Sequence, residues 1–206
     1  TAAIVTGKTI VGGGTITLSS LDAASDLVNI SNAMVISGAQ ASFTGSLGSG
    51  NLTMSGNLGT TAAIVTGKTI VGGGTITLTS LDATSDLSNI SNDMVISGAQ
   101  PSFTGFLGSG ELTLSAFLGT LADRVTGKTI TSSTDLTVTG VDNDLYNGTN
   151  FDINGTYLVK ISSGAVVHSN TILTPSQGNN PVIVPEGNCT IPAARLHGLA
   201  LNNGSG

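Results

Sequence analysis

Short stretches in which every second residue is apolar recur along the first two thirds of the chain, as in Thr15-Ile16-Thr17-Leu18, Ala33-Met34-Val35-Ile36 and Asn51-Leu52-Thr53-Met54. The first apolar residue of each pair marks a series: Ile16, Met34, Leu52, Ile76, Met94, Leu112 and Leu136, at successive intervals of 18, 18, 24, 18, 18 and 24. Each marker is followed two positions on by a second apolar residue: Leu18, Ile36, Met54, Leu78, Ile96, Leu114 and Val138. Period-two alternation puts both residues of a pair on one face of a strand and the residue between them on the other. The pattern therefore predicts an all-β chain in which a turn of about 20 residues, each carrying a strand, is repeated seven times. One such turn cannot close a core, but stacked turns bury these apolar pairs as a continuous column. The expected fold is a parallel β-helix-like β-solenoid of about seven coils.

A longer period contains the shorter one. Residues 1–60 and 61–120 differ at ten positions, and Val125-Thr126-Gly127-Lys128-Thr129-Ile130 opens a third copy that diverges. The solenoid is expected over residues 1–140, with copies at 1–60, 61–120 and a partial one at 121–140. Glycines between the strands, such as Gly12, Gly38, Gly45, Gly48 and Gly59, are read as corner residues supplying positive φ. Helix is not expected in the repeat, because glycine interrupts windows that already lack good helix formers. The same strand pattern fits three chains wound about a common axis, although a coil of this size can close a small solenoid alone. The abrupt start at Thr1, inside a repeat, suggests a processed product or an excerpt of something longer.

The ten differences are not evenly spread. Ser46 becomes Phe106, Asn57 becomes Phe117, Gly56 becomes Ala116 and Ala41 becomes Pro101. With Phe103 these changes place three of the five phenylalanines in the second half of the second copy, which marks Phe103, Phe106 and Phe117 as a candidate interface. Lys8, Lys68 and Lys128 recur at the long period, as do Asp22, Asp82 and Asp142, and are expected to form charge rows. After residue 140 the texture changes to Thr156–Ile161, Ala165–Val167, Thr171–Leu173 and Pro181–Val184, read as strands, with a helical turn expected within Ile191–Leu201. Residues 141–206 are thus expected to form a small β-rich head or adaptor.

Composition removes several functions. Charged residues are only 9%, aromatics 3%, and glycine and threonine dominate the chain. A net charge of −6 argues against a nucleic-acid partner. No stretch reaches the roughly 18 apolar residues of a membrane-crossing helix. Cys189 is alone, so no internal disulfide forms. The Thr-Gly-Lys-Thr motif lacks the glycine that a phosphate-binding loop needs five positions earlier, where Ala2, Ala62 and Ala122 stand. Asp142 and Asp144 are a weak calcium candidate without the spacing of a full loop. Cys189, His168 and His197 are the residues best suited to nucleophile or base chemistry, and an ordinary thiol and surface imidazoles are the expected reading. No catalytic residue, cofactor or metal is assigned, and the chain is not expected to be an enzyme.

The phrasing Gly50-Asn51-Leu52-Thr53-Met54-Ser55-Gly56-Asn57-Leu58 and Asp135-Leu136-Thr137-Val138-Thr139-Gly140 resembles the strand-turn repeats of bacteriophage fibre and tail-spike shafts, and shares features with repeats of bacterial surface adhesins. The terminal stretch Ile191–Ser205, with Arg195-Leu196-His197-Gly198-Leu199-Ala200-Leu201-Asn202-Asn203, is similar to β-domain sequences of phage fibres and capsid decorations. The resemblance implies a virion appendage, extracellular or on the virion surface, that self-associates as a homotrimer or head-to-tail polymer. Other virion or surface proteins and a cell-surface glycan receptor are the partners it implies, with no catalytic residue to carry over. A cellular surface filament or adhesin is the alternative, and a polysaccharide-processing solenoid the outsider.

Overall fold

The computed structural model describes residues 1–141, 150–153, 155–161, 163–164, 177–178, 182–191 and 200–201. Two compact units emerge from it: Thr1–Gly98 with Gly105–Glu111, and Ala99–Thr104 with Leu112–Gly206. The chain is all-β and parallel, a β-solenoid of about seven turns wound by a single chain.

The first unit contains β1 (Ile16–Leu18), β2 (Met34–Ile36), β3 (Leu52–Met54), β4 (Leu58–Thr60), the one-turn helix α1 (Ala62–Val65), β5 (Ile70–Val71), β6 (Ile76–Leu78) and β7 (Met94–Ile96). Three ladders run through it. In the first, Ile16 pairs with Met34, Met34 with Leu52 and Leu52 with Ile70, each step advancing the numbering by 18, and Ile70 goes on to Ile90. In the second, Gln40, Leu58, Ile76 and Met94 follow one another at the same spacing. The third is made of isolated parallel bridges, Ile10 to Ile30 and Asp26 to Ser46.

These registers revise the 18/18/24 spacing. The ladder that starts at Ile16 reaches Ile70 in three steps, whereas the repeat-equivalent of Ile16 is Ile76, six positions further and in the second ladder. The interval of 24 is one coil of 18 plus one side of six. A 60-residue copy therefore makes three and a third turns, and each copy is carried one ladder onward. Ile16, Met34 and Leu52 do not share a column with Ile76 and Met94. Lys8 and Lys68 do not form a row for the same reason, because Lys8 lies beside Ile10 in the third ladder and Lys68 beside Ile70 in the first; Asp142 lies outside the described residues.

The second unit contains β8 (Gln100–Phe103), β9 (Leu112–Leu114), β10 (Leu118–Leu121), the one-turn helix α2 (Ala122–Val125), β11 (Thr129–Ser132), β12 (Leu136–Val141), β13 (Asn150–Ile153), β14 (Tyr157–Ile161), β15 (Gln177–Gly178), β16 (Val182–Pro185) and β17 (Ala200–Leu201). One sheet runs β8-β10-β12-β14-β16-β17, and β9-β11-β13-β15 form a second ladder. In that sheet the numbering advances by 18 from Leu118 to Leu136, by 21 from Leu136 to Tyr157 and by 24 from Leu158 to Val182. The described strands after residue 140 thus pair in the same parallel ladders as those before it, and the chain divides inside its second copy. The physical cause is continued alternation: Tyr157, Val159 and Ile161 point inward and are buried.

Helix does occur in the repeat. Thr61 is extended and Ala62–Val65 make one turn, with Thr66 N–H donating to Ala62 O at 2.8 Å. Gly67 at φ +67° ends it and donates its N–H to Asp86 O at 2.8 Å. Ala62 and Val65 face the core, so this turn serves as a corner in which small residues replace a strand. The helical turn expected within Ile191–Leu201 falls mostly outside the described residues.

Most inter-strand glycines have a different purpose from the one their sequence suggests. Of those read as corners with positive φ, only Gly12 has it. At Gly59, a Cβ would run into the carbonyl of Ala41 in the preceding coil, and at Gly48 into that of Ile30. These positions are glycine because neighbouring backbones approach too closely for a side chain.

Candidate functional site

The residues of the expected core column are distributed over the ladders just described. All are buried, from Leu18 through Val138, except Ile16, which is half-buried. Outside the expected column, on the other sides of the coil, Leu21, Leu27, Ile30, Phe43, Leu58 and Val65 are also buried. A usable signal was present in the intervals of 18 from Leu58 to Ile76 and from Leu52 to Ile70.

The aromatic cluster comes apart. Phe103, like its equivalent Phe43, is a core residue with no more than 1% exposure, and is corrected here from interface to interior. In the first unit the Phe43 carbonyl accepts the Thr60 hydroxyl at 2.8 Å, and in the second the Phe103 carbonyl accepts that of Thr120 at 3.1 Å. The two rings are thus fixed where a coil turns. Phe106, in the first unit, remains 49% exposed, and its backbone bridges to Asp86. Phe117, in the second unit, is half-buried, and its carbonyl accepts the Gln100 N–H at 2.9 Å.

Polar side chains bond chiefly to the backbone of an adjacent coil. Asn32 Nδ2 donates to Gly14 O at 2.8 Å and Gly12 O at 3.2 Å; Asn92 Nδ2 donates to Gly74 O at 2.6 Å. Gln40 Nε2 reaches Leu21 O at 2.9 Å while its Oε1 accepts the Ser42 N–H at 3.1 Å. Sequence reasoning did not single out either asparagine, since both read as surface residues beside a turn. The Lys68 ammonium donates to Gly48 O at 2.9 Å and Leu47 O at 3.2 Å, on the wall of an open cleft of about 290 Å³ lined also by Gly45, Ser46, Ala63 and Ile64. That cleft has one cation already held by two carbonyls and no nucleophile paired with a base.

Two groups have displaced proton affinities. The Ser88 hydroxyl, at 2.6 Å, and the Ser88 N–H, at 3.0 Å, both donate to Asp86 Oδ1 and hold its pKa below the usual carboxylate value. Burial pushes the Lys128 ammonium below the usual lysine value. Cys189 is a half-buried free thiol. Among the described residues no three His, Cys, Asp or Glu side chains gather where they could hold a metal. Asp142, Asp144, His168 and His197 lie outside the described residues. Compared with protein-family models, with curated proteins and with solved structures, the chain matches none.

Proposed function

We propose that this chain is a structural subunit, a fibre or stalk element of an extracellular assembly, and that the assembly is a virion appendage. The observation that carries the reading is the use to which the polar side chains are put. Asn32, Asn92, Gln40, Thr60 and Lys68 all bond to carbonyls of a neighbouring coil, so the repeat directs its polar chemistry at holding coils together. The strand-turn phrasing shared with phage fibre and tail-spike shafts supports the virion setting. In this reading the molecule self-associates and works through its surface, meeting other virion proteins and a cell-surface glycan.

Electron microscopy of the purified chain combined with mass measurement tests the proposal. Short discrete oligomers, trimers in particular, are the expected result. Long homopolymers would transfer the chain to the cellular surface filaments, and glycan cleavage in a polysaccharide-degradation assay would overturn the structural reading altogether.

A further inference from the structure

The cleft beside Lys68 lies within the first unit, between the turn of residues 45–48 and the corner helix α1 with the residues that follow it. One side chain ties its two walls together. From the α1 side the Lys68 ammonium donates to Gly48 O and Leu47 O on the other, at 2.9 and 3.2 Å. Two of its three N–H groups are thus used, and both acceptors are neutral, so the charge is held in place without being neutralised. Among the described residues no carboxylate pairs with it. The adjoining turns carry Asp26, whose backbone bridges to Ser46, and Asp86, whose carbonyl accepts the Gly67 N–H. Each of these carboxylates accepts from a donor of its own turn, Val28 N–H for Asp26 and Ser88 for Asp86.

A second donor stands on the wall facing α1. The Ser46 hydroxyl is exposed and makes no hydrogen bond among the described residues. At Gly45 beside it, a Cβ would run into the Ser25 carbonyl and the Phe43 ring, so this wall is bare backbone. Ala63 and Ile64 line the α1 side with methyl groups. The volume of about 290 Å³ is at the small end for ligand sites and admits one ring-sized molecule. The set is not repeated one copy on. The lysine is kept as Lys128, but Phe106, Asp123 and Arg124 stand at the positions equivalent to Ser46, Ala63 and Ile64. The hydroxyl is lost there and a carboxylate is added, with Asp123 paired to Arg124 at 3.0 Å.

We infer that the cleft between Ser46 and Lys68 binds a carboxylate-bearing sugar, its carboxylate on the remaining Lys68 N–H and a ring hydroxyl on Ser46. One positioned ammonium suits a monoanion, because a charge-assisted bond forms without any reordering of the lysine. A phosphate dianion asks for more donors than the two present, and meets a chain of net charge −6. The cleft is open to water, so the body of the ligand is a polyhydroxyl ring with its C–H face toward Ile64, rather than a hydrocarbon. A single such bond in an open site gives a dissociation constant on the order of 1 mM. The inference deepens the glycan part of the functional reading and rests on it. Its failure would leave the oligomers expected by electron microscopy untouched, so the two readings fail separately.

The experiment titrates the isotope-labelled full chain with D-glucuronate and follows the amide resonances by NMR. D-glucose, cyclohexanecarboxylate and inorganic phosphate are titrated in parallel. The expected result is saturable shifts at Gly45, Ser46, Leu47 and Lys68 with glucuronate, and binding about tenfold weaker or more with glucose, which lacks the charge. Lys68→Gln keeps an amide for the two carbonyls and should bind glucuronate no better than glucose. Ser46→Phe fills the cleft with the residue that the second copy carries, and should abolish the shifts while melting like the wild type, since the equivalent turn already holds Phe106. No saturable shift, equal binding of glucose, or undiminished binding by Ser46→Phe would overturn the proposal. Phosphate binding as tightly as glucuronate would overturn the carboxylate, and cyclohexanecarboxylate binding more tightly would overturn the sugar.

Discussion

Asp86 and its first-copy equivalent Asp26 show how one substitution alters a turn. Asp26 Oδ1 accepts the Val28 N–H, at 3.2 Å, whereas Asp86 Oδ1 accepts both the N–H and the hydroxyl of Ser88. Both donors favour the carboxylate, so the folded pKa of Asp86 lies below its unfolded value. Its stabilisation is therefore present above the unfolded carboxylate pKa and is lost as the pH falls through the lower folded value. Because the group is solvent-facing, the effect is expected to stay below ~1 kcal/mol. Replacing Ser88 by the valine that copy one carries should raise the Asp86 titration midpoint in a carboxyl NMR titration and flatten the acid side of the stability profile. An unchanged midpoint would mean that the hydroxyl does not hold the carboxylate in solution.

Strand β6 alternates between inward and outward positions. Ile76 is fully buried between Leu58 and Met94, while Thr77 faces out between Gly59 and Val95. Ile76→Asp places an unpaired carboxylate in the core and should cost more than ~3 kcal/mol, enough to remove the cooperative melt. Thr77→Asp should shift the melting temperature by a few degrees at most. Equal losses would show that the two faces are exchanged. The strands themselves were legible in the sequence because period-two alternation is a local signal, carried by Ile16-Thr17-Leu18 and its equivalents. The corners were not. Ala62–Val65 is helical because a one-turn corner needs small inward residues and a following glycine at positive φ, a requirement set by the coils on either side. Phe103 likewise reads as a surface aromatic until the turn that buries it is in place.

For the molecule as a whole, the single coil is the unit that matters, and the 60-residue repeat conceals it. Removing residues 43–60 joins Ser42 to Thr61 and leaves every downstream strand in register, so a cooperative thermal transition should survive. Removing residues 43–57 shifts the downstream chain by an odd number and turns its inward residues outward. That variant should lose its β-sheet circular dichroism, and a native-like spectrum would refute the register described above. The candidate site was the least legible feature, since glycine spacing signals close backbone approach only once the ladder step is known. Gly59 and Ala41 stand one ladder step apart, a relation that the 60-residue period hides.

Three and a third turns per copy has a consequence for how such a gene can grow. A tandem duplication normally has to span a whole number of turns, or the new segment presents the wrong residues to its neighbours. Here Ile76 arrives on a different side from Ile16 and still finds a leucine on one flank and a methionine on the other, because the first and second ladders offer the same kind of apolar partner. Those two sides are interchangeable, so a duplication breakpoint need only fall at the end of a six-residue side. Lengthening by recombination should then be tolerated at more than one position along the coding sequence, an expectation with which the near-identity of the first two copies agrees.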